Sequence, residues 1–233
     1  MKKLLFFIFI LSITVFISYK YSRTVYITYL KIYYDNMYTE QALQDKFQKM
    51  YDNKMYEELE GLIYYPLIIY PQNDEFKRIA AMNYLKLNDV LKSGMIFVQI
   101  EDESIKHSPL FEEILKNLYN NGYHSDVLSF YSRNIMLDNA NISFYYGVSL
   151  YKKDRYDESY KMLMNAKNHN PASPELNFYI GLNLEKMGDN SGAIKYVKAA
   201  FDSDMSNNEY RKKLADLYRK NNMFKEADII SRM

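Results

Sequence analysis

The chain has 233 residues, with 30 Lys and Arg balancing 29 Asp and Glu, so it lacks the broad basic excess by which nucleic-acid binders hold phosphate. It has no cysteine, which excludes disulfides and thiolate metal sites. Seven glycines and five prolines leave long helix-compatible stretches and spell out no phosphate-binding loop. The abundance of Lys, Asn, Ile and Tyr fits an AT-rich, bacterial genome.

Met1-Lys2-Lys3 precedes an uncharged run from Leu4 to Tyr19. A basic start before an apolar run is the pattern of an export signal or an anchor. Sixteen residues rise about 24 Å as a helix, short of a hydrocarbon core of about 30 Å, which favours a cleaved signal. The missing small-x-small cleavage motif favours a retained anchor, since Phe16 stands two places before Ser18 and Lys20 two before Ser22. The expectation carried forward is a membrane segment over 1–19 with the remainder outside the cytoplasm, and the alternative is secretion after cleavage. Basic residues on both sides of the run leave its orientation open.

Residues 20–39 hold Tyr21, Tyr26, Tyr29, Tyr33, Tyr34 and Tyr38. They read either as an aromatic belt and stalk at a membrane surface or as a leading helix packed on the first helical hairpin. Residues 40–139 then read as about three amphipathic hairpins. The first, over 40–73, carries Phe47, Tyr56, Leu59, Ile63 and Pro71, with Pro66 predicting a kink or early stop. The second, over 74–107, carries Ala80, Ala81, Tyr84, Ser93 and Phe97. The third, over 108–139, carries Phe111, Ile114, Leu115, Leu118, Gly122, Val127 and Tyr131 and is two residues short. Polar joints at Asn53-Lys54, Asn121-Gly122, Lys153-Asp154, Gly188-Asp189 and Asn221-Asn222 predict the turns. Acidic residues after them, such as Glu57, Glu58, Asp157, Glu158 and Glu226, suit the first turns of second helices.

Residues 140–233 repeat at a 34-residue step. Gly147, Gly181 and Ala215 share one slot, and Ser159, Ala193 and Ala227 share another, twelve places on. Ala166 and Ala200 recur later in the second helices. Small residues at these slots let helix axes cross closely, where larger ones would force them apart. A fixed step of this length signals stacked units, each buried by its neighbours. The pattern resembles the tetratricopeptide repeat (TPR), a helix–turn–helix unit of about 34 residues. Departures are mild: Ser143, Asn177 and Arg211 stand in the family's tryptophan slot, and Met205 replaces a closing proline that Pro171 supplies one unit earlier. The resemblance implies an all-α, right-handed superhelical solenoid.

It also implies that the first helix of each unit lines an inner, partner-binding groove. Carrying over the groove slots names Phe144, Tyr145, Val148 and Tyr151, then Phe178, Tyr179 and Leu182, then Lys212, Lys213, Asp216 and Arg219. Family members that clamp a peptide's terminal carboxylate use Lys, Asn and Arg there, whereas Phe144, Val148 and Tyr179 occupy those slots here. An aromatic groove with a basic end instead suits a helix or extended segment with apolar anchors. The competing reading packs these aromatics against neighbouring helices. At the C-terminus, Ile229, Ile230 and Met233 read either as a self-association surface or as side chains buried in their own hairpin.

Catalytic signals are sparse. His124-Ser125-Asp126 holds the residue types of a triad, but sequence neighbours cannot converge as one, and capping of the helix after Gly122 is the expected role. His107, His124 and His169 lack metal-ligand spacing, and Glu101-Asp102-Glu103 reads as a solvated loop. The implied function is a non-catalytic scaffold that binds a protein or peptide, uses no cofactor, and serves envelope assembly or secretion. The alternatives are an accessory membrane subunit of a translocation machine and, remotely, an enzyme with an unrecognised site.

Overall fold

The computed structural model describes residues 22–133, 139–169 and 173–233, and among them every regular element is an α-helix. Helix α1 spans residues 22–37. It is followed by α2 (Glu40–Asp52), α3 (Tyr56–Ile69), α4 (Asp74–Lys86), α5 (Val90–Phe97) and the single turn α6 (Glu103–Lys106). Next come α7 (Pro109–Asn120), α8 (His124–Arg133), α9 (Ala140–Lys152) and α10 (Tyr156–His169). The last are α11 (Pro174–Lys186), α12 (Asn190–Ser203), α13 (Asn208–Lys220) and α14 (Phe224–Arg232). Two compact units divide the chain, Met1–Asp102 and Glu103–Met233. In the first, α2 pairs with α3 and α4 with α5, and α3 packs on α4; in the second, α7–α8, α9–α10, α11–α12 and α13–α14 pair, and α8, α10 and α12 pack on the first helix of the hairpin that follows. This is TPR-like solenoid architecture within each unit. The run Leu4–Tyr19 and Pro171 lie outside the described residues, and among the described residues no helix is long and apolar enough to cross a membrane.

The repeat is clearest in the backbone of the turns. Lys54, Asn88, Gly122, Asp154, Gly188 and Asn222 adopt positive φ between 59° and 87°. Their numbers step by 34 everywhere except from Gly122 to Asp154, where the step is 32. Each closes the preceding helix in the same way. The N–H of the left-handed residue donates three residues back, as Lys54 does to Tyr51 (2.9 Å), and the next N–H donates five back, as Met55 does to Met50 (3.0 Å). The last carbonyls of each first helix are thereby satisfied before the chain reverses.

Glycine fills this position twice, and Asn or Asp, which tolerate it, three times. Lys54 is the exception, with a Cβ that the left-handed region penalises. Lys54→Gly is therefore expected to stabilise the fold by about 1 kcal/mol, read as a higher urea midpoint. An unchanged or lower midpoint would show that Lys54 carries no strain.

Most first helices open on a polar cap: the side chains of Thr39, Asn73, Asn139, Ser173 and Asn207 accept backbone N–H groups of α2, α4, α9, α11 and α13. Glu57, Glu58, Asp157, Glu158 and Glu226 lie in the first turns of α3, α10 and α14. Helix α3 continues through Pro66 to Ile69 and has 14 residues, as many as α10 and α12, so the predicted early stop does not form.

Packing explains why some hairpins are tighter than others. Seven places before each left-handed residue and five after it, the two helices of a hairpin cross. Ala81/Ser93, Gly147/Ser159, Gly181/Ala193 and Ala215/Ala227 put small buried residues at both positions. Ser93 donates to the Ala81 carbonyl (2.8 Å) and Ser159 to the Gly147 carbonyl (2.7 Å), so each buried hydroxyl is satisfied by the opposing helix. Phe47/Leu59 and Leu115/Val127 place large residues there, and α2–α3 and α7–α8 run together less closely. Ala166 and Ala200 are buried in the core of the second unit beside Leu163, Leu176, Val197 and Leu214.

Helix α1 is two-sided. Leu30 is buried, and Tyr34 and Tyr38 pack against the core formed by Leu43, Phe47, Leu59, Ile63 and Phe76. Val25, Tyr26, Tyr29, Ile32, Tyr33 and Met37 are exposed. At the other end Ile230 packs on the core while Ile229 and Met233 are exposed.

Candidate functional site

In the second unit the first helices α7, α9 and α11 touch one another in succession. Their shared face carries a chain of aromatic rings. The Tyr119 ring lies 5.0 Å from Tyr145 and 5.8 Å from Phe144, edge-on to the latter. Phe144 meets Tyr179 at 6.3 Å, and Tyr179 meets Tyr151 at 5.8 Å. These rings are half-buried, giving each a packed side and a surface side. The spacing follows from the repeat: residues in one slot of successive first helices stand side by side, so like residue types line up into a stripe.

The groove residues named from sequence divide three ways. Phe144, Tyr145, Tyr151, Tyr179 and Leu182 are half-buried. Val148 is fully buried, and Phe178 is 3% exposed and packs on Tyr210 at 4.6 Å, so these two build the core under the groove. Lys212, Asp216 and Arg219 are exposed on α13. The basic end is only partly neutralised: Lys213 and Lys220 share the single carboxylate of Glu185, and Arg219 pairs with Asp216 at 2.9 Å. Burial pushes the Glu185 carboxyl up, but hydrogen bonds from Lys213 and Lys220 outweigh it and hold the group below its ordinary range. With two lysines on one glutamate and Lys212 exposed, this end keeps a net positive charge.

A cleft of about 280 Å³ opens between the C-terminal end of α7 and the N-terminal ends of α9 and α11. Tyr119, Asn141, Phe144, Tyr145, Glu175 and Leu176 contribute to its wall. The Tyr119 hydroxyl donates to Glu175 at 3.2 Å, and Glu112 beside it accepts from the amides of Asn139 (3.0 Å) and Asn141 (2.7 Å). Burial and then the charge of Glu175 push the Tyr119 phenol far above its usual range. Burial, with Glu175 and Glu209, raises Tyr179 to about 12. All these phenols stay protonated at neutral pH and act as hydrogen-bond donors rather than bases.

Tyr119, Glu175 and Glu112 escaped the sequence reading. Tyr119 stands 32 residues before Tyr151, so the shortened step would have found it. Glu175, in the first turn of α11, reads from sequence only as a charge favourable to the helix dipole. His124 opens α8, but its ring Nδ1 lies 3.1 Å from the Ser149 hydroxyl of α9, tying two hairpins together. Burial, then Lys152 and Lys153, depress its pKa below the usual histidine value. Asp126 lies with it in α8, and among the described residues of the cleft no nucleophile and base converge. Among the described residues no cluster of His, Asp and Glu is placed to hold a metal.

No protein-family model and no curated protein sequence matches the chain. Solved structures share its fold. One is MamA of AMB-1, with 17% identity and a TM-score of 0.57 over 68% of this chain and 88% of that one. Another is YrrB, described as a TPR protein with an unusual peptide-binding site, with 13% identity and a TM-score of 0.55 over 70% of this chain and 85% of that one. At these identities the likeness establishes the TPR fold.

Proposed function

We propose that this TPR-fold chain is a non-catalytic scaffold that holds a segment of a partner protein along the inner face of α7, α9 and α11. The observation that carries the reading is the half-buried ring series Tyr119, Phe144, Tyr145, Tyr179 and Tyr151. Large aromatic side chains with one side fixed and one side open supply contact area at little entropic cost, which is why they dominate binding energetics. The peptide site named for YrrB is consistent with this use of the fold.

The cellular setting proposed is extracytoplasmic, in envelope assembly or secretion, with Leu4–Tyr19 as the anchor and helix α1 beside it. The exposed stripe Val25, Tyr29, Ile32 and Tyr33 fits a helix lying against an apolar surface. Fractionation of cells expressing the full chain, with intact mass and protease accessibility, tests this part. A membrane-bound product of full mass digested only from outside is expected. A repeat region digested only from the cytoplasmic side would overturn the placement.

The groove itself is tested with peptides selected from a random library on the immobilised full chain. Tyr145→Ala combined with Phe144→Ala is expected to weaken their binding at least tenfold, the size of a central aromatic anchor. Leu91→Ala, an exposed change on α5, should leave binding unchanged. Equal affinity for all three proteins would sink the reading.

A further inference from the structure

The cleft at the end of the ring series has a chemistry more specific than its aromatic character. Its wall includes the rings of Tyr119, Phe144 and Tyr145 together with Asn120, Asn141 and Ser173, and among the described residues its one charged member is Glu175. The neighbouring Glu112 adds a second negative charge behind Asn141. Among the described residues no lysine or arginine is part of its wall. We infer that this cleft is a cation pocket that takes the guanidinium or ammonium group of an Arg or Lys side chain from the bound partner segment. The inference rests on the groove reading and specifies the chemistry of one position within it.

Three features support that occupant over others. First, aromatic faces attract cations through their negative π-clouds, most strongly when the site is partly withdrawn from water. Tyr119 and Tyr145, 5.0 Å apart and tilted by 36°, offer two such faces to one guest. Second, Glu175 is exposed and accepts one hydrogen bond from the Tyr119 hydroxyl at 3.2 Å, which leaves carboxylate lone pairs for a forked guanidinium. Glu112 is less available, because both of its oxygens are held by Asn139 and Asn141, so it contributes field rather than contact. Third, about 280 Å³ is below the roughly 300–1,000 Å³ of a site for a whole drug-sized ligand and suits one long side chain.

The same carboxylates act on the surrounding phenols. Tyr119, Tyr145, Tyr179 and Tyr210 are all raised, first by burial and then by carboxylates that include Glu175 in every case. A cation entering the cleft would relieve that field, whereas an acidic or C-terminal carboxylate group would worsen it. This inverts the clamp that some repeats of this fold use for a terminal carboxylate.

The test uses the library-selected peptides on the full chain. Selected sequences are expected to be enriched in Arg or Lys at one position. Replacing that residue by citrulline, a neutral isostere of Arg, or by Met for Lys, should weaken binding about tenfold. Glu175→Gln should weaken the parent peptide by about the same factor and leave the affinity of the neutral peptide unchanged. Glu226→Gln, an exposed carboxylate on α14, should change neither. If peptides bind through Phe144 and Tyr145 but show no basic preference, or are indifferent to Glu175→Gln, the cation pocket is wrong and the groove reading stands. If no peptide binds through these residues, both are overturned.

Discussion

Gly181→Leu is expected to destabilise the second unit by about 3 kcal/mol or more, at the upper end of what over-packing costs. A Cβ at Gly181 would stand 2.6 Å from Val197 Cγ2 and 3.1 Å from both the Ala193 carbonyl oxygen and the Val197 backbone nitrogen. Backbone of α12 cannot move aside as a side-chain tip can, so α11 and α12 must separate. Each hairpin is buried by its neighbours, so separation here also loosens α9–α10 and α13–α14. An alanine series isolates the cause. Gly147 faces chiefly the flexible end of Leu163, at 2.8 and 2.9 Å, so Gly147→Ala should cost less than Gly181→Ala. Gly61, exposed on α3, has nothing within 4 Å of a Cβ, and Gly61→Ala should stabilise by about 0.5–1 kcal/mol through helix propensity. Urea unfolding monitored by helicity gives the ordering. If Gly181→Ala proved as benign as Gly61→Ala, close helix approach would not be what this slot provides.

Asp74→Ala is expected to cost the first unit about 3 kcal/mol, because it strands a buried lysine. Lys77 occupies the slot where the repeat's tryptophan is usual and is only 6% exposed. It donates to Asp74 and to the Gln99 carbonyl, both at 2.7 Å. The other Asp74 oxygen accepts the backbone N–H groups of Glu101 (2.8 Å) and Asp102 (2.7 Å). One carboxylate thus fixes the first turn of α4, a buried cation and the loop after α5. Lys77→Met in the same chain should recover part of the loss, since it removes the orphaned charge. Failure of Lys77→Met to recover anything would assign the cost to the loop contacts alone.

The pair also has a pH signature. Burial pushes the Asp74 carboxyl up, but hydrogen bonds from Lys77, Asp102 and Glu101 outweigh it and hold the group below its ordinary range. The native state therefore binds fewer protons here than the unfolded chain. Its contribution is complete above the unfolded value of about 4 and is lost as pH falls through the lower native value. Asp74→Ala should flatten that part of the acid-stability curve.

The fold was legible because the repeat writes its geometry into residue types. Gly122 and Gly188 at left-handed turns, and Gly147, Gly181 and Ala215 at crossings, carry the step in plain letters. The early hairpins were fainter for a physical reason: Phe47/Leu59 and Leu115/Val127 cross with large side chains, and Lys54 and Asn88 take the turn without glycine. The groove was only partly legible. Helical spacing places Val148 and Phe178 near the inner face but does not say that the next hairpin covers them. Nor does it show that Glu185 of α11 reaches Lys213 and Lys220 of α13, because that pairing depends on how adjacent hairpins stack. Tyr119 and Glu175 meet across an intervening hairpin, a contact no local pattern encodes.

Hydrogen exchange of the full chain, with and without a selected peptide, tests the central claim most directly. Binding along the inner face predicts slowed exchange in α7, α9 and α11, centred on the turns carrying Tyr119, Tyr145 and Tyr179. Protection confined to α8, α10 and α12, or to α14, would put the partner elsewhere and contradict the account.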